Sequence, residues 1–515
     1  MHEYPEHEDV CEHLSNTMND VSDVMWLLSQ KGVRLWTEHG QIHFRAYRGA
    51  LSSDEICTLR ARRVDLLEFL EGVELETKIS IPSRPVGSKI PLGGLQRTSW
   101  KYYVEVGHAT RYPRSVLIGL RVFGKLDSYI LQRSIAMVME RHEPLRTTII
   151  ESDGIAIQQI AEADGYHLRV TKINEKNPIR RAQKLQSLIT DFVEEEVELS
   201  IGPLFVAKLF QVSPEEHVFV LSLNHMITDE ITNEIIVAEV MTAYYDSVLR
   251  RPSSLPPITL QFADYVLWQQ TMNSTWLQTH GNYWKKRLIG APAIRLPFDN
   301  AVRAESRAPT ASVGLFFDKK LTGQIRKLSR GQQMLPALLI FAVYVATVSR
   351  WCDQRDLVVT FVETGRFRPE LTKMVGWLTN HLRLRMQMED RDTFTDLLQK
   401  VKREFYCAVV RQNFNQAQLL IPGCEEDMVN RLYFNWLSRM RPLGSVRERN
   451  GGHDIVLKRF PIQRKEKPAF TFGAFFMDSG EEIFAEIVYR ADLFLRSSVE
   501  DFTKKLRVMA EEVVR

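Results

Sequence analysis

Residues 217–230 read HVFVLSLNHMITDE, and this stretch decides the fold around it. Its first seven residues are a β-branched and aromatic run that is typical of a buried strand. After Asp229, apolar residues recur at helical spacing, and Asp229 itself occupies the position of an N-cap. We therefore predict a strand that ends at Asn224, a short loop that carries His225, and a helix.

His225 is a candidate catalytic residue because a strand end is a common place for a rigid scaffold to present a reactive side chain. An imidazole there can take a proton from an amine, hydroxyl or thiol near neutral pH. Taken alone, the NHxxxD pattern is weak, and a core histidine that bonds to the backbone is the simpler interpretation.

Composition places the 515-residue chain among ordinary globular proteins, with two large units and a small one. The net charge of +3 comes without a Lys/Arg-rich stripe, so no nucleic-acid partner is expected. No run reaches the roughly 18 apolar residues of a membrane span, and the polar, acidic opening is unlike a signal peptide. We expect a cytoplasmic protein without membrane contact, whose residues 1–20 form a disordered leader.

Cysteine and histidine usage points to no metal and no disulfides. The five cysteines are scattered and lack CxxC spacing, so we expect reduced thiols. The leader contains His2, Glu3, His7, Glu8, Cys11 and His13, which could in principle bind a metal. Their spacing matches no known site, and a solvated leader is the simpler interpretation.

The sequence pattern of residues 21–72 predicts a small unit made of a helix, a β-hairpin and a second helix, in that order. Two runs in period-2 alternation, 33–37 and 41–46, flank a turn at 38–40. The wording VRLWTEHGQIHFRAYRGALSSDE resembles the β-hairpin docking domain at the front of tubulysin-type synthetase subunits. An exposed hairpin edge can accept a partner strand through backbone hydrogen bonds.

Positive charge surrounds this hairpin, because Lys31, Arg34, Arg45 and Arg48 outnumber Glu38. The expected partner is therefore an acyl or peptidyl carrier protein with an acidic C-terminal tail. The other interpretation is a solvated hairpin whose charges only keep it soluble.

After a linker predicted at 73–90, ordered matches to one family run towards the C-terminus. The chain resembles condensation domains of nonribosomal peptide synthetases in RHEPLRTT at 141–148, and NHMITDE stands where that family has HHxxxDG. Further matches are 92–100 (LGGLQRTSW), 262–268, 283–297, 375–380 (VGWLTN) and 489–494 (YRADLF).

The resemblance implies an α/β fold of two chloramphenicol-acetyltransferase-like lobes in a V-shaped pseudo-dimer, predicted at 91–270 and 271–515. It implies transfer of an acyl, polyketidyl or peptidyl chain from a carrier-protein phosphopantetheine thioester to an amine or hydroxyl acceptor. That acceptor is free or carrier-bound, and the product is an amide or an ester. No bound cofactor is implied, because the phosphopantetheine belongs to the partner.

On this resemblance His225 matches the catalytic histidine, which acts on the acceptor and helps to stabilise the tetrahedral intermediate. Asp229 matches a structural aspartate, and Arg366 is its expected partner on the other lobe, although a surface loop arginine would fit the same letters. Asn224 replaces a histidine that is credited with shaping the site. Glu230 replaces a glycine, and its carboxylate could narrow the tunnel, repel an acidic acceptor or attract an ammonium-bearing one.

The chain shows neither an adenylation-type phosphate loop nor a carrier-domain serine. Residues 451–454 (GGHD) are similar to a carrier signature, but Asp454 stands where the modifiable serine would be needed. We therefore expect a stand-alone enzyme that meets its donor through the docking unit. Two other functions stay open. One is a condensation-like recruitment platform in which Asn224 and Glu230 mark lost catalysis, and the other is an acyl-CoA-dependent acyltransferase, which the docking unit disfavours.

Overall fold

Two lobes, each around its own apolar core, follow a β-hairpin. The structure, a computed structural model, describes residues 33–38, 41–45, 51, 56, 59–60, 63, 66–67, 70, 80–105, 115–195, 197–271, 274–301, 310–412, 432–438, 455–460, 462 and 470–515.

The predicted hairpin is confirmed. Strand β1 is Arg34–Glu38 and strand β2 is Gln41–Arg45, and Arg34 lies opposite Arg45 in their antiparallel register. The described residues between 56 and 70 are helical, while the helix predicted before the hairpin lies outside the described residues. Within the described ranges no third strand joins this sheet, so its outer edges have no backbone partner there.

The segment predicted as a linker is fixed to the body from residue 80 onward. Ile81 is buried, and the Arg84 guanidinium donates to Asp264 at 3.0 Å and to Glu143 at 2.7 Å. The sequence shows no period here because side-chain contacts, and not regular secondary structure, hold this part of the chain.

The first lobe contains a three-stranded and a five-stranded sheet. The three-stranded sheet consists of β3 (Ile90–Pro91), β5 (Thr147–Ser152) and β6 (Ile155–Ile160). The five-stranded sheet has the order β14-β4-β9-β8-β7, with β4 (Ser115–Phe123), β7 (Arg169–Lys172), β8 (Phe205–Ser213), β9 (Glu216–Asn224) and β14 (Val456–Arg459). Its helices are α1 (Gly94–Glu105), α2 (Ser128–Arg141), α3 (Pro178–Val193) and α4 (Glu230–Val248).

Strand β9 is buried on both faces, which explains its nearly continuous apolar sequence. Phe219 and Leu221 lie in the core formed with α2 and α4. Val218 and Val220 point the other way, into the cluster formed with α3. The strand therefore ends at Asn224 on a rigid support.

The second lobe is built on one six-stranded sheet. Its order is β10-β16-β15-β13-β11-β12, with β10 (Thr310–Phe317), β11 (Asp356–Glu363), β12 (Asn380–Gln387), β13 (Leu432–Ser438), β15 (Phe472–Asp478) and β16 (Ile483–Arg490). Its helices are α7 (Lys319–Gly331), α8 (Pro336–Cys352), α9 (Phe394–Val409) and α10 (Arg496–Val513). Helices α5 (Phe262–Gln270) and α6 (Ser274–Leu288) connect the lobes.

Helix α8 forms the centre of the second core, and most of its side chains are fully buried. No single helix in the described ranges is long and apolar enough to cross a membrane. By length and composition α7 and α8 qualify only together, as a pair bent by 103°.

One strand passes from the second part of the chain into the first lobe. Strand β14 pairs antiparallel with β4, so that Val456 lies opposite Phe123 and Arg459 opposite Leu120. Its Leu457 belongs to the first lobe's core. The predicted division at 270/271 does not mark this exchange, because nothing in a short apolar strand shows which sheet it joins.

Candidate active site

The histidine loop, residues 224–229, takes its shape from Asn224. The Asn224 backbone N–H donates to the Leu204 carbonyl at 2.8 Å and completes the strand pairing. Its side-chain Oδ1 then accepts from the Met226 N–H at 2.9 Å, which turns the chain into a short 3-10 helix, His225–Ile227. Asn224 thus caps the turn that presents His225.

His225 lies half-buried at the lobe interface, with its ring centroid 4.3 Å from that of Trp377. Its Nδ1 is buried and makes no hydrogen bond of normal geometry among the described residues. Burial lowers the pKa of His225, and the nearby Asp229 carboxylate offsets only part of that effect. The imidazole is therefore neutral near pH 7 and able to accept a proton.

Asp229 and Arg366 form the ion pair that the sequence predicts. Arg366 Nη1 donates to Asp229 Oδ2 at 2.8 Å and Nη2 donates to Oδ1 at 2.9 Å. The same carboxylate accepts from the Thr232 N–H at 2.8 Å as the N-cap of α4, and from the Leu378 N–H at 2.9 Å. Asp229 therefore connects the helix start to the second lobe, and Arg366 is not a surface arginine.

Thr232 is a further link between the lobes that the sequence does not reveal as functional. Its Oγ1 donates to the Gly376 carbonyl at 2.7 Å, accepts from the Gly376 N–H at 3.0 Å, and accepts from Arg366 Nη2 at 3.1 Å. The sequence signal that could have pointed to Thr232 is its position three residues after the N-cap Asp229, where its own N–H donates to that carboxylate. Trp377, in the motif VGWLTN, is the other residue whose contact with His225 sequence reasoning misses.

Glu230 is the first residue of α4 and is half-buried. Burial raises the pKa of this carboxyl, and the positive charge of Arg459 on β14 opposes that rise. The strand exchanged between the lobes therefore places a cation near the residue that replaces the family's glycine.

A cavity of about 430 Å³ opens beside the histidine loop. One wall comes from α1 and α5 and the other from residues 365–380, and Trp377 lines the second wall. Both walls are bonded to the loop, since Gln96 Nε2 donates to the Met226 carbonyl at 2.7 Å and Leu378 N–H donates to Asp229. His225 is not itself one of the described lining residues, and Trp377, which lines the cavity, is the side chain that connects the cavity to the His225 ring.

Of the four predicted docking residues, two lie within the described residues and two lie outside them. Arg34 and Arg45 are a directly opposed pair at the open end of the hairpin. Lys31 and Arg48 lie outside the described residues. The docking role of all four stays a prediction.

The lobe topology, the histidine loop and the Asp229–Arg366 pair agree with one family. Residues 88–515 match the condensation domain family, and residues 21–71 match the TubC N-terminal docking domain. The chain belongs to the condensation domain family. The predicted family and the predicted small N-terminal unit are both confirmed.

Solved structures similar to this condensation domain confirm its predicted fold. A condensation domain that mediates chain release from the enacyloxin polyketide synthase matches with a TM-score of 0.74 and 18% identity, covering 96% of this chain and 95% of that one. The EpoB cyclization-docking bidomain from Sorangium cellulosum matches with a TM-score of 0.72 and 14% identity, covering 98% and 99%.

Curated proteins similar to this chain include a linear gramicidin synthase from Brevibacillus parabrevis, 27% identical over 358 residues, which are 69% of this chain. The matched part is 5% of that relative's length. Phosphinothricin tripeptide synthetase PhsC of Streptomyces viridochromogenes is 26% identical over 65% of this chain, and the match is 31% of its length. This condensation domain therefore corresponds to one unit within much larger synthetases.

Proposed function

We propose that this condensation domain transfers an acyl, polyketidyl or peptidyl chain from a carrier-protein thioester to an amine or hydroxyl acceptor, forming an amide or an ester. The observation that carries the proposal is the position of His225, half-buried and with a lowered pKa, in ring contact with Trp377, which lines a cavity of about 430 Å³. Binding cavities for small molecules fall in this size range. The donor's phosphopantetheine arm is part of the substrate, so the chain needs no bound cofactor of its own.

One proton, which moves from the acceptor to His225 and then to the sulfur, balances the reaction. The acceptor nitrogen or oxygen attacks the thioester carbonyl while its proton passes to His225, and a C–N or C–O bond forms. The C–S bond then breaks, and the proton passes from His225 to the departing sulfur, which leaves as a thiol. A base with a lowered pKa is free of its proton at neutral pH and can begin this cycle.

Asp229 and Arg366 act in this proposal as positioning residues. Their side chains are 1% and 5% exposed, and the polar atoms that the pair uses face one another and the surrounding backbone. They fix the wall that carries Trp377 against the histidine loop, and so hold His225 at the cavity.

The docking domain brings the donor in this proposal. The acidic C-terminal tail of a carrier protein adds a strand to the hairpin edge, and Lys31, Arg34, Arg45 and Arg48 attract it. The structural likeness to a condensation domain that releases a chain from the enacyloxin polyketide synthase supports a reaction of this class.

The catalytic claim is tested by acyl transfer from a loaded carrier that bears such a tail. Intact-mass spectrometry would follow the loss of the acyl chain from the carrier with candidate amines and alcohols. We expect His225→Ala to transfer about 10²–10⁴-fold more slowly than the wild type. The exposed His167→Ala serves as the matched control and should be unaffected. Equal transfer by wild type and His225→Ala contradicts the proposal, and wild-type binding without transfer favours the recruitment platform.

The docking claim is tested separately with the double variant Arg34→Glu, Arg45→Glu. Reversal of both charges should weaken transfer from the tailed carrier and leave a tailless carrier unchanged. The exposed pair Arg133→Glu and Arg180→Glu, on α2 and α3, reverses the same charge elsewhere and is the control. An equal loss with tailed and tailless carriers would remove the hairpin from the proposal.

A further inference from the structure

The cavity beside His225 has one charged residue among its described lining residues, Arg97 on α1. The rest of that lining is apolar, or offers backbone, hydroxyl and amide groups, as Thr379 and Asn380 do. A single cation in an otherwise neutral cavity gives the site a defined preference for negative charge.

Arg97 differs from Arg84 and Arg366 in having no acidic partner within the described part of the chain. Arg366 is held by Asp229, and Arg84 is held by Glu143 and Asp264. Burial lowers the pKa of Arg97, and no carboxylate opposes that effect. Arg97 is nevertheless an exposed residue that also lines the cavity, so a ligand can reach the guanidinium.

Glu230 is absent from the described lining residues of this cavity. The sequence allowed the Glu230 carboxylate to repel an acidic acceptor, and the lining of this cavity gives no support for that repulsion. The charge that a ligand in the cavity meets first is positive.

We infer that the cavity receives a free acceptor of one chemical class, a small hydroxy or amino acid whose carboxylate is unblocked. Arg97 binds the carboxylate, and the nucleophilic end lies towards Trp377, whose ring contacts that of His225. Arg97 is thus a specificity-determining residue for the acceptor. This inference rests on the proposed function for the fate of the ligand, but not for its binding.

Binding is tested without a donor, so that no transfer can occur. Ligand-observed NMR titrations of the full chain would compare 3-aminobenzoate with 3-aminobenzamide, and 3-hydroxybenzoate with 3-hydroxybenzamide. We expect each acid to bind about tenfold more tightly than its amide, the scale of one charge-assisted contact. Arg97→Gln should abolish that preference and Arg97→Lys should retain part of it. Arg133→Gln, an exposed arginine on α2, is the control and should behave as wild type.

Equal binding of acid and amide by the wild type overturns the inference, as does an acid preference that survives in Arg97→Gln. If the acids bind through Arg97 but are never acylated, the proposed function fails while the site assignment stands.

A transfer assay separates a ligand carboxylate from the phosphate of a carrier arm, the other anion that could reach Arg97. With a free acid acceptor, Arg97→Gln should raise the apparent KM about tenfold and leave kcat within about twofold. A defect seen only with carrier-bound acceptors would assign Arg97 to the phosphate and overturn the inference.

Discussion

Arg366 holds Asp229 across the lobe interface through two parallel hydrogen bonds, of 2.8 Å from Nη1 to Oδ2 and 2.9 Å from Nη2 to Oδ1. A planar guanidinium and a carboxylate paired in this way permit one relative orientation. Because Asp229 is also the N-cap of α4, that orientation is transmitted to the histidine loop. The pair is a fixed joint between the two walls of the site.

Removal of Arg366 should destabilise the protein strongly. Arg366→Ala leaves the buried Asp229 carboxylate without its countercharge, which costs about 3–5 kcal/mol of unfolding free energy. Arg366→Lys keeps the charge but loses the two-bond geometry, so a smaller loss is expected. Urea unfolding measures both, with Arg133→Ala on the surface as the control. A loss below about 1 kcal/mol for Arg366→Ala would show that the pair does not hold the lobes.

Thr232 should matter through its hydroxyl and not through its shape. Thr232→Val preserves the volume but leaves the Gly376 carbonyl and N–H without their partner, and should destabilise by about 1–3 kcal/mol. Thr232→Ser keeps the hydroxyl and should be close to wild type. The difference between these two variants in urea unfolding is the measurement, and similar values for both would contradict the prediction.

Gly365 should tolerate no side chain. It adopts φ of +68°, and a Cβ there would lie 1.8 Å from the Leu378 carbonyl oxygen. Gly365→Ala must therefore displace the wall that carries Leu378, which should lower kcat/KM and reduce the unfolding free energy by about 1–3 kcal/mol or more. Gly314→Ala in β10 is the matched control, since nothing lies within 4 Å of its Cβ position. Equal stability of the two variants would show that the wall is free to move.

The pH dependence of transfer should report the pKa of His225. Burial holds that pKa below the ordinary 6.5. A base must be unprotonated, so kcat/KM should persist as the pH falls through 6.5 and decline only at more acidic values. Single-turnover transfer measured between about pH 5 and 8, the range in which histidine side chains titrate, tests this. An acid limb at or above 6.5 would contradict it.

The lowered pKa of His225 also makes the unfolding free energy depend on pH in a defined direction. Between the folded and unfolded pKa of His225 the unfolded chain binds the extra proton, so stability rises with pH in that window. The contribution is complete above about pH 6.5 and is lost as the pH falls towards the folded value. Unfolding of wild type and His225→Ala at both ends of the window measures the difference.

Much of the site can be predicted because its residues lie in local patterns. Strand β9, the turn and α4 follow from apolar periodicity and from the N-cap at Asp229. The family resemblance predicts Arg366 as the partner of Asp229, and the structure supplies the two-bond geometry. Asn224, which departs from the family's histidine, has a local task as the turn cap.

Other features depend on contacts between distant parts of the chain, which single-sequence patterns do not encode. The exchange of β14 is one, because a short apolar strand fits either sheet. The Trp377 ring beside His225 and the Thr232 contacts exist only once the lobes meet. The lack of a period around Arg84 is typical of a linker, although its guanidinium bridges Glu143 and Asp264.

Because residues 80–91 are anchored on the lobes, the segment that connects the docking domain to them is shorter than the predicted linker. Ten residue steps separate Leu70, buried in that domain, from Ser80, and a chain of that length spans at most about 35 Å. If the hairpin binds a carrier as proposed, the carrier would be kept within this distance of the lobes, at an effective concentration in the millimolar range. Weak binding at the hairpin would then be sufficient to keep the carrier near the lobes.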